Sequence, residues 1–145
     1  LKLGEFCGIK FADKVIVVSR ATKSFLEKKY IRKDLKFIPN GVSLPEIVSA
    51  GATLKRYNLE PKKYIFIACR FTPEKGLHDL IAAYSKIENP KFKLVISGDV
   101  DYETEYSKKI RDIARKTKGV VLTGFVSGEH LQELYSNAGL FVLPS

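Results

Sequence analysis

The chain has 145 residues and a mass of 16.3 kDa, with 45% hydrophobic and 28% charged side chains. That is the balance of a globular protein of roughly one domain, which excludes disorder, collagen-like repeats and low-complexity scaffolds. No apolar run approaches the ~18–20 residues of a membrane span. The two cysteines, Cys7 and Cys69, form no CxxC pair and no disulfide framework, and two histidines, His78 and His130, do not suggest a metal cage. The net charge is +9, unevenly placed: residues 1–62 carry 13 basic and 6 acidic side chains, residues 63–145 carry 12 and 10. The excess sits chiefly at Lys23, Lys28, Lys29, Arg32, Lys33 and Lys36. It reads either as a solvated helix face or as a surface for an anionic partner. The chain opens on Leu1 and holds no Met, so it is expected to be a piece of a longer protein.

Short β-branched runs alternate with amphipathic stretches along the chain. Leu3, Phe6, Cys7 and Phe11 mark the inner face of a short first helix. Val15-Ile16-Val17-Val18 reads as a buried strand, ended by Ser19, an N-cap for a helix bearing Phe25, Leu26 and Tyr30. Lys36-Phe37-Ile38 is a second short strand, closed by the turn signal Pro39-Asn40-Gly41. Residues 43–63 lose the rhythm, carry Pro45, Gly51 and Pro61, and read as a linker with one short helix around residues 54–57. From Tyr64 the rhythm is strong. Strands are predicted at Ile65–Cys69, Leu94–Ile96, Val120–Leu122 and Leu140–Leu143, with intervening helices marked by Leu77, Leu80, Ile81 and Tyr84, by Tyr106, Ile110, Ile113 and Ala114, and by Leu131, Leu134, Tyr135 and Ala138. Continuous apolar strands joined by helices predict an α/β fold: a Rossmann-like parallel sheet with helices on both faces.

Open parallel sheets bind ligands beyond the carboxyl ends of their strands. Those ends carry Cys69-Arg70, Ser97-Gly98-Asp99, Thr123-Gly124-Phe125 and Pro144-Ser145. Arg70 is followed five residues on by Lys75-Gly76 at the mouth of a helix. An anion there would meet two cations and helix N-terminal amides, and a diphosphate is the natural candidate.

In order, the chain runs Ala12-Asp13-Lys14-Val15-Ile16-Val17-Val18-Ser19, Ile38-Pro39-Asn40-Gly41-Val42, Arg70-Phe71-Thr72-Pro73-Glu74-Lys75-Gly76, Leu94-Val95-Ile96-Ser97-Gly98, Gly124-Phe125-Val126 and Ala138–Ser145. On these pieces it resembles the group 1 glycosyltransferases, retaining sugar-nucleotide enzymes of the GT-B fold. Each piece alone is weak, whereas their order and spacing are specific. The resemblance implies that residues 1–42 end an N-terminal, acceptor-side domain, that Asn40-Gly41-Val42 lies at the interdomain hinge, that residues 43–63 are the linker, and that residues 64–145 begin the C-terminal donor-binding domain. It implies that Arg70 and Lys75 hold the donor diphosphate, that Gly98 lets its loop approach the donor, and that Gly124, Phe125 and Val126 meet the nucleobase through backbone groups. Cations poised on the departing diphosphate would stabilise its growing charge with no metal and no cofactor. The implied partners are a nucleotide-diphosphate sugar and a sugar or lipid-linked acceptor. The family places a second glycine two residues after Gly98, where this chain has Val100. The family's Glu-x7-Glu motif would begin shortly after Ser145 and its acceptor-side histidine before Leu1, so the fragment alone is expected not to turn over.

Other readings compete. Asp99-Val100-Asp101 looks like the metal-binding DxD of GT-A glycosyltransferases, yet acidic residues at a helix N-terminus account for it more simply. Lys75-Gly76 lacks the other features of a Walker loop, and no GxGxxG is present. His78 and His130 read as surface or capping residues, and Cys69 as core. The basic segment 23–36 has too few spare apolar residues to insert into a membrane but suits electrostatic contact with anionic lipid, which together with the resemblance implies a cytoplasmic protein, peripheral on the inner membrane face. No aromatic platform accompanies its lysines, so nucleic acid is not an expected partner. A sheet ending at Leu143 leaves an open edge, which predicts self-association. Two alternatives to the transferase are a non-catalytic nucleotide-binding or interaction module and a related GT-B enzyme such as a sugar-nucleotide epimerase.

Overall fold

The computed structural model describes residues 2–88 and 90–144. The chain forms two compact units, Leu1–Pro45 and Glu46–Ser145. The division falls inside the segment read as a linker, and residues 46–63 pack with the second unit.

The first unit contains α1 (Lys2–Phe11), β1 (Ile16–Val17), α2 (Arg20–Tyr30) and β2 (Lys36–Phe37). β1 and β2 are parallel, with Ile16 opposite Lys36 and Val17 opposite Phe37. Val15, Val17, Leu26 and Leu35 form its small core. Ser19 caps α2, its hydroxyl accepting from the Thr22 amide. Glu5 ties α1 to α2 by accepting from Lys29 at 2.6 Å and from Tyr30 at 2.7 Å. The Arg32 guanidinium donates to Asp34 and to the carbonyls of Ile9 and Asp13, and it holds the Asp34 carboxyl down at about 2. The expected inner face of α1 is not inner: Leu3, Phe6, Cys7 and Phe11 are all exposed. Within this unit α1 is anchored by its polar contacts and by Ile9, which packs on the core. Phe25 is likewise exposed, because the core of α2 centres on Leu26.

The second unit holds α3 (Ala52–Arg56), β3 (Tyr64–Ala68), a 3-10 turn (Pro73–Lys75), α4 (Leu77–Ser85), β4 (Lys93–Ser97), α5 (Glu105–Lys116), β5 (Val120–Gly124), α6 (Gly128–Asn137) and β6 (Leu140–Phe141). The strands form one parallel sheet in the order β5-β4-β3-β6. As expected, it is an α/β fold with helices on both faces. Ile67, Leu94 and Ile96 meet α4 and α5 through Leu77, Ile81, Ile110 and Ala114 on one face. Tyr64, Phe66 and Val95 meet α3 and α6 through Leu54 and Leu134 on the other. Strands buried on both faces have no polar alternation, which is why their sequences read as continuous apolar runs. The chain steps outward from β3 to β4 to β5, then returns to lay β6 on the other side of β3, so the strand order reverses beside β3.

Candidate functional site

Hydrogen bonds stitch the loops at the carboxyl ends of the strands into one surface. The Cys69 amide donates to the Ser97 carbonyl (3.0 Å), the Phe71 amide to Asp99 (3.2 Å) and the Gly98 amide to Gly124 (2.8 Å). A bulge places Gly124, rather than Thr123, opposite Ser97. Such a bulge redirects the chain as it leaves the sheet, and Gly124 continues the bend at φ +71°. Gly98 has φ +127°, and a Cβ there would lie 1.9 Å from the Cys69 carbonyl oxygen. Only glycine lets the β4–α5 loop cross the end of β3 this closely.

A cavity of about 570 Å³ opens at these strand ends, lined by Cys69, Arg70, Gly98 and Asp99 with Phe125 and Val126, and closed on the helix side by Leu131 and Tyr135 of α6. Four residues singled out from the sequence, Arg70, Gly98, Phe125 and Val126, therefore share one cavity. Gly124 lines a neighbouring cavity of about 380 Å³ together with Gly98, Asp99 and Arg111. Lys75 lines neither. It ends the 3-10 turn half-buried, its amide donating to the Thr72 carbonyl at 3.0 Å. Its charge nevertheless reaches the cavity wall: burial pushes the Cys69 thiol up, and Lys75 draws it partly back. Arg70 and Lys75 also act together on Glu74. That carboxyl is held below its ordinary value first by its own amide, with the two cations adding to it. Among the described residues neither cation forms an ion pair, so both charges are available to an anion.

Other side chains at the rim are engaged. Asp99 accepts from the Val100 amide at 2.9 Å and from Arg111, which also bonds Glu103 at 2.9 Å. Burial opposes ionisation of Asp99, but the Val100 amide and Arg111 outweigh it and keep the carboxyl below its usual value. The first aspartate of Asp99-Val100-Asp101 thus fastens the β4–α5 loop to α5. Among the described residues no group of three or more His, Cys, Asp or Glu side chains is arranged to hold a metal. His78 bonds the Tyr106 hydroxyl through Nδ1 at 3.0 Å, and His130 bonds the Thr53 hydroxyl at 2.9 Å. Cys69, read as core, is half-buried: it packs against the main core and also lines the cavity wall, because it leaves β3 at the sheet's open end.

Two contributors escaped the sequence reading. Tyr135 falls on the helical apolar period, yet the residue is 44% exposed and lines the cavity while its ring packs edge-on against Phe66 at 4.9 Å. Its spacing of four from Leu131, on a helix that starts at a strand's carboxyl end, was the available signal. Glu133 is only 5% exposed. Its carboxylate accepts from the amides of Gly51 (2.7 Å), Leu54 (2.9 Å) and Thr53 (3.2 Å), serving as a remote cap for α3. No local pattern announces a cap drawn from ~80 residues away.

Residues 52–145 match the family described as Glycosyl transferases group 1. The chain belongs to that family. It is 27% identical, over 91% of its length, to the lipopolysaccharide 1,2-N-acetylglucosaminetransferase of Salmonella typhimurium, and 26% identical, over 92%, to the processive diacylglycerol alpha-glucosyltransferase of Acholeplasma laidlawii. It spans 38% and 42% of those two relatives. Among solved structures it resembles Anabaena Alr3699/HepE in complex with UDP and glucose, with a TM-score of 0.77 and 20% identity over 99% of this chain and 41% of that one. The UDP-N-acetylglucosamine 2-epimerase from Rickettsia bellii shares the fold at a TM-score of 0.58 and 14% identity, over 97% of this chain and 39% of that one.

Proposed function

We propose that the protein carrying this chain is a retaining glycosyltransferase that moves a sugar from a nucleotide-diphosphate donor to a glycan or lipid-linked acceptor. The observation that carries this reading is the single cavity shared by Arg70, Gly98, Phe125 and Val126 at the carboxyl ends of the strands, beside β3 where the strand order reverses. Family membership supports it. Arg70 grips the diphosphate from the end of β3, and Lys75 adds charge from the adjacent turn. As the sugar–phosphate bond breaks, both cations stabilise the charge growing on the departing nucleotide, and no metal takes part. Gly98 lets its loop approach the donor, and Gly124, Phe125 and Val126 place backbone groups against the nucleobase. Residues 1–42 belong to the acceptor side.

Titration of UDP against the chain and its Arg70→Ala and Lys75→Ala variants tests the clamp. Each truncation is expected to weaken binding about tenfold, the worth of one charge-assisted hydrogen bond. Equal affinities for all three proteins would defeat the assignment.

We further infer a cytoplasmic protein that touches anionic lipid through residues 23–36. No described helix is long and apolar enough to cross a membrane. Three of the six basic side chains in that segment are already paired, Lys23 with Glu27, Lys29 with Glu5 and Arg32 with Asp34. Lys28, Lys33 and Lys36 remain exposed. At about 1 kcal/mol each near an anionic surface, three lysines give weak, salt-sensitive attachment. Cosedimentation with phosphatidylglycerol vesicles should occur at 20 mM salt and vanish at 300 mM or when the three lysines become glutamine. Equal pelleting with phosphatidylcholine alone would refute the electrostatic contact.

A further inference from the structure

On the far side of the Phe125-Val126 turn lies a further cavity, of about 540 Å³, between α3 and the start of α6. Its chemistry is unlike that of an accidental groove. Arg56 lines it, and among the described residues this guanidinium has no ion pair; it leans over the Tyr57 ring at 5.5 Å. His130 faces it from α6, with Nδ1 tied at 2.9 Å to the hydroxyl of buried Thr53, which fixes the ring at the wall. Ser127 adds a hydroxyl that forms no cap bond to α6. Phe125, 77% exposed, supplies a flat apolar face.

The wall is held rigidly. α3 has only five residues, yet Glu133 ties down three of the amides at its start, and the Tyr57 hydroxyl donates to the Thr123 carbonyl at 3.0 Å. Arg56 and His130 are therefore set on anchored elements and need little reordering to meet a ligand. A guanidinium beside an imidazole and a hydroxyl recognises a tetrahedral oxyanion, and an exposed aromatic face recognises a flat ring.

We propose that this cavity is a binding site for a phosphate monoester carrying a planar ring, separate from the cavity of Arg70. Arg56, His130 and Ser127 take the phosphate, and Phe125 takes the ring. The two cavities share Phe125 and Val126 as a common wall.

The probe is phenyl phosphate, titrated into the full chain while the imidazole signals are followed by NMR. With only two histidines the signals are separable: His130 reports on this cavity, and His78, which lines neither this cavity nor that of Arg70, serves as the reference. Assignment follows from the signal lost in His130→Ala. The His130 signal is expected to move saturably at millimolar phenyl phosphate. Arg56→Ala should weaken that titration about tenfold, and Phe125→Ala about fivefold. Arg70→Ala should leave it unchanged, which separates this site from any outcome at the donor seat. An unshifted His78 signal in the apo variants confirms that they are folded. A His130 signal that stays still to 50 mM, moves only in step with His78, or titrates identically in Arg56→Ala would overturn the proposal.

Discussion

Gly98 and Gly124 both adopt left-handed backbone at the site rim, but for different reasons. Around Gly124 a Cβ would meet nothing within 4 Å, so alanine there costs only the strain of a positive φ, about 1 kcal/mol. At Gly98 the Cβ would collide with the Cys69 carbonyl, backbone that directly follows β3 and is held by the Cys69 amide's bond to Ser97, so it cannot give way cheaply. Gly98→Ala is expected to cost at least about 3 kcal/mol and to displace the loop bearing Asp99. Urea unfolding of the two variants should separate their midpoints clearly, and similar midpoints would mean that the loop crosses β3 less closely than described. The sequence reading gave Gly98 one task, close approach to a donor. The structure shows a prior one, close approach to Cys69.

Helix α6 works on two faces. One carries Leu131 and Tyr135 to the cavity. The other grips the segment that precedes β3: Glu133 caps α3, Ser136 accepts from the Val48 amide at 3.1 Å, and Asn137 donates to the Val48 carbonyl at 3.0 Å. Burial by itself pushes the Glu133 carboxyl up, but the amides of Leu54, Gly51 and Thr53 and the Thr53 hydroxyl outweigh it and bring it below 4.5. A carboxyl whose value is lowered by folding stabilises the fold wherever the unfolded chain is ionised, and loses that contribution as pH falls below about 4.5 through the depressed folded value. Glu133→Ala leaves three amides without their acceptor and is expected to cost about 3 kcal/mol at pH 7. Its deficit relative to the parent should shrink between pH 5 and pH 3 in thermal melts. A deficit that stays constant with pH would show that the charge on Glu133 contributes nothing. This latch explains why residues 46–63, irregular in sequence, pack with the second unit: α6 supplies the partners that their local sequence lacks.

At the scale of this 145-residue chain taken by itself, β6 is the outermost described strand beside β3, and Leu140, Phe141 and Leu143 are each about half exposed. Unpaired amides and apolar side chains together favour pairing with another chain. We expect sedimentation at high concentration to show dimers or larger species, reduced when Phe141 and Leu143 are replaced by lysine. A monodisperse monomer across the concentration range would count against this. The first unit, by contrast, is held by one small core and by charged clamps such as Arg32–Asp34.

The order of elements and the parallel sheet were legible because burial on both faces writes itself into the sequence as apolar runs at strands and a 3.6-residue period at helices. Arg70, Gly98 and Phe125 were legible because a parallel sheet directs attention to the residues that leave its strands, whereas Val126 was marked only by the resemblance to the family. What only the tertiary structure decided was company. It separated Lys75 from the cavity lining, set Cys69 against the core and in the cavity wall at once, engaged Asp99 with Arg111, and brought Glu133 to an α3 that lies ~80 residues away in the chain. Periodicity reports which side chains are buried, since that follows from local geometry. Pairing between distant polar groups depends on how elements pack, and no local pattern encodes it.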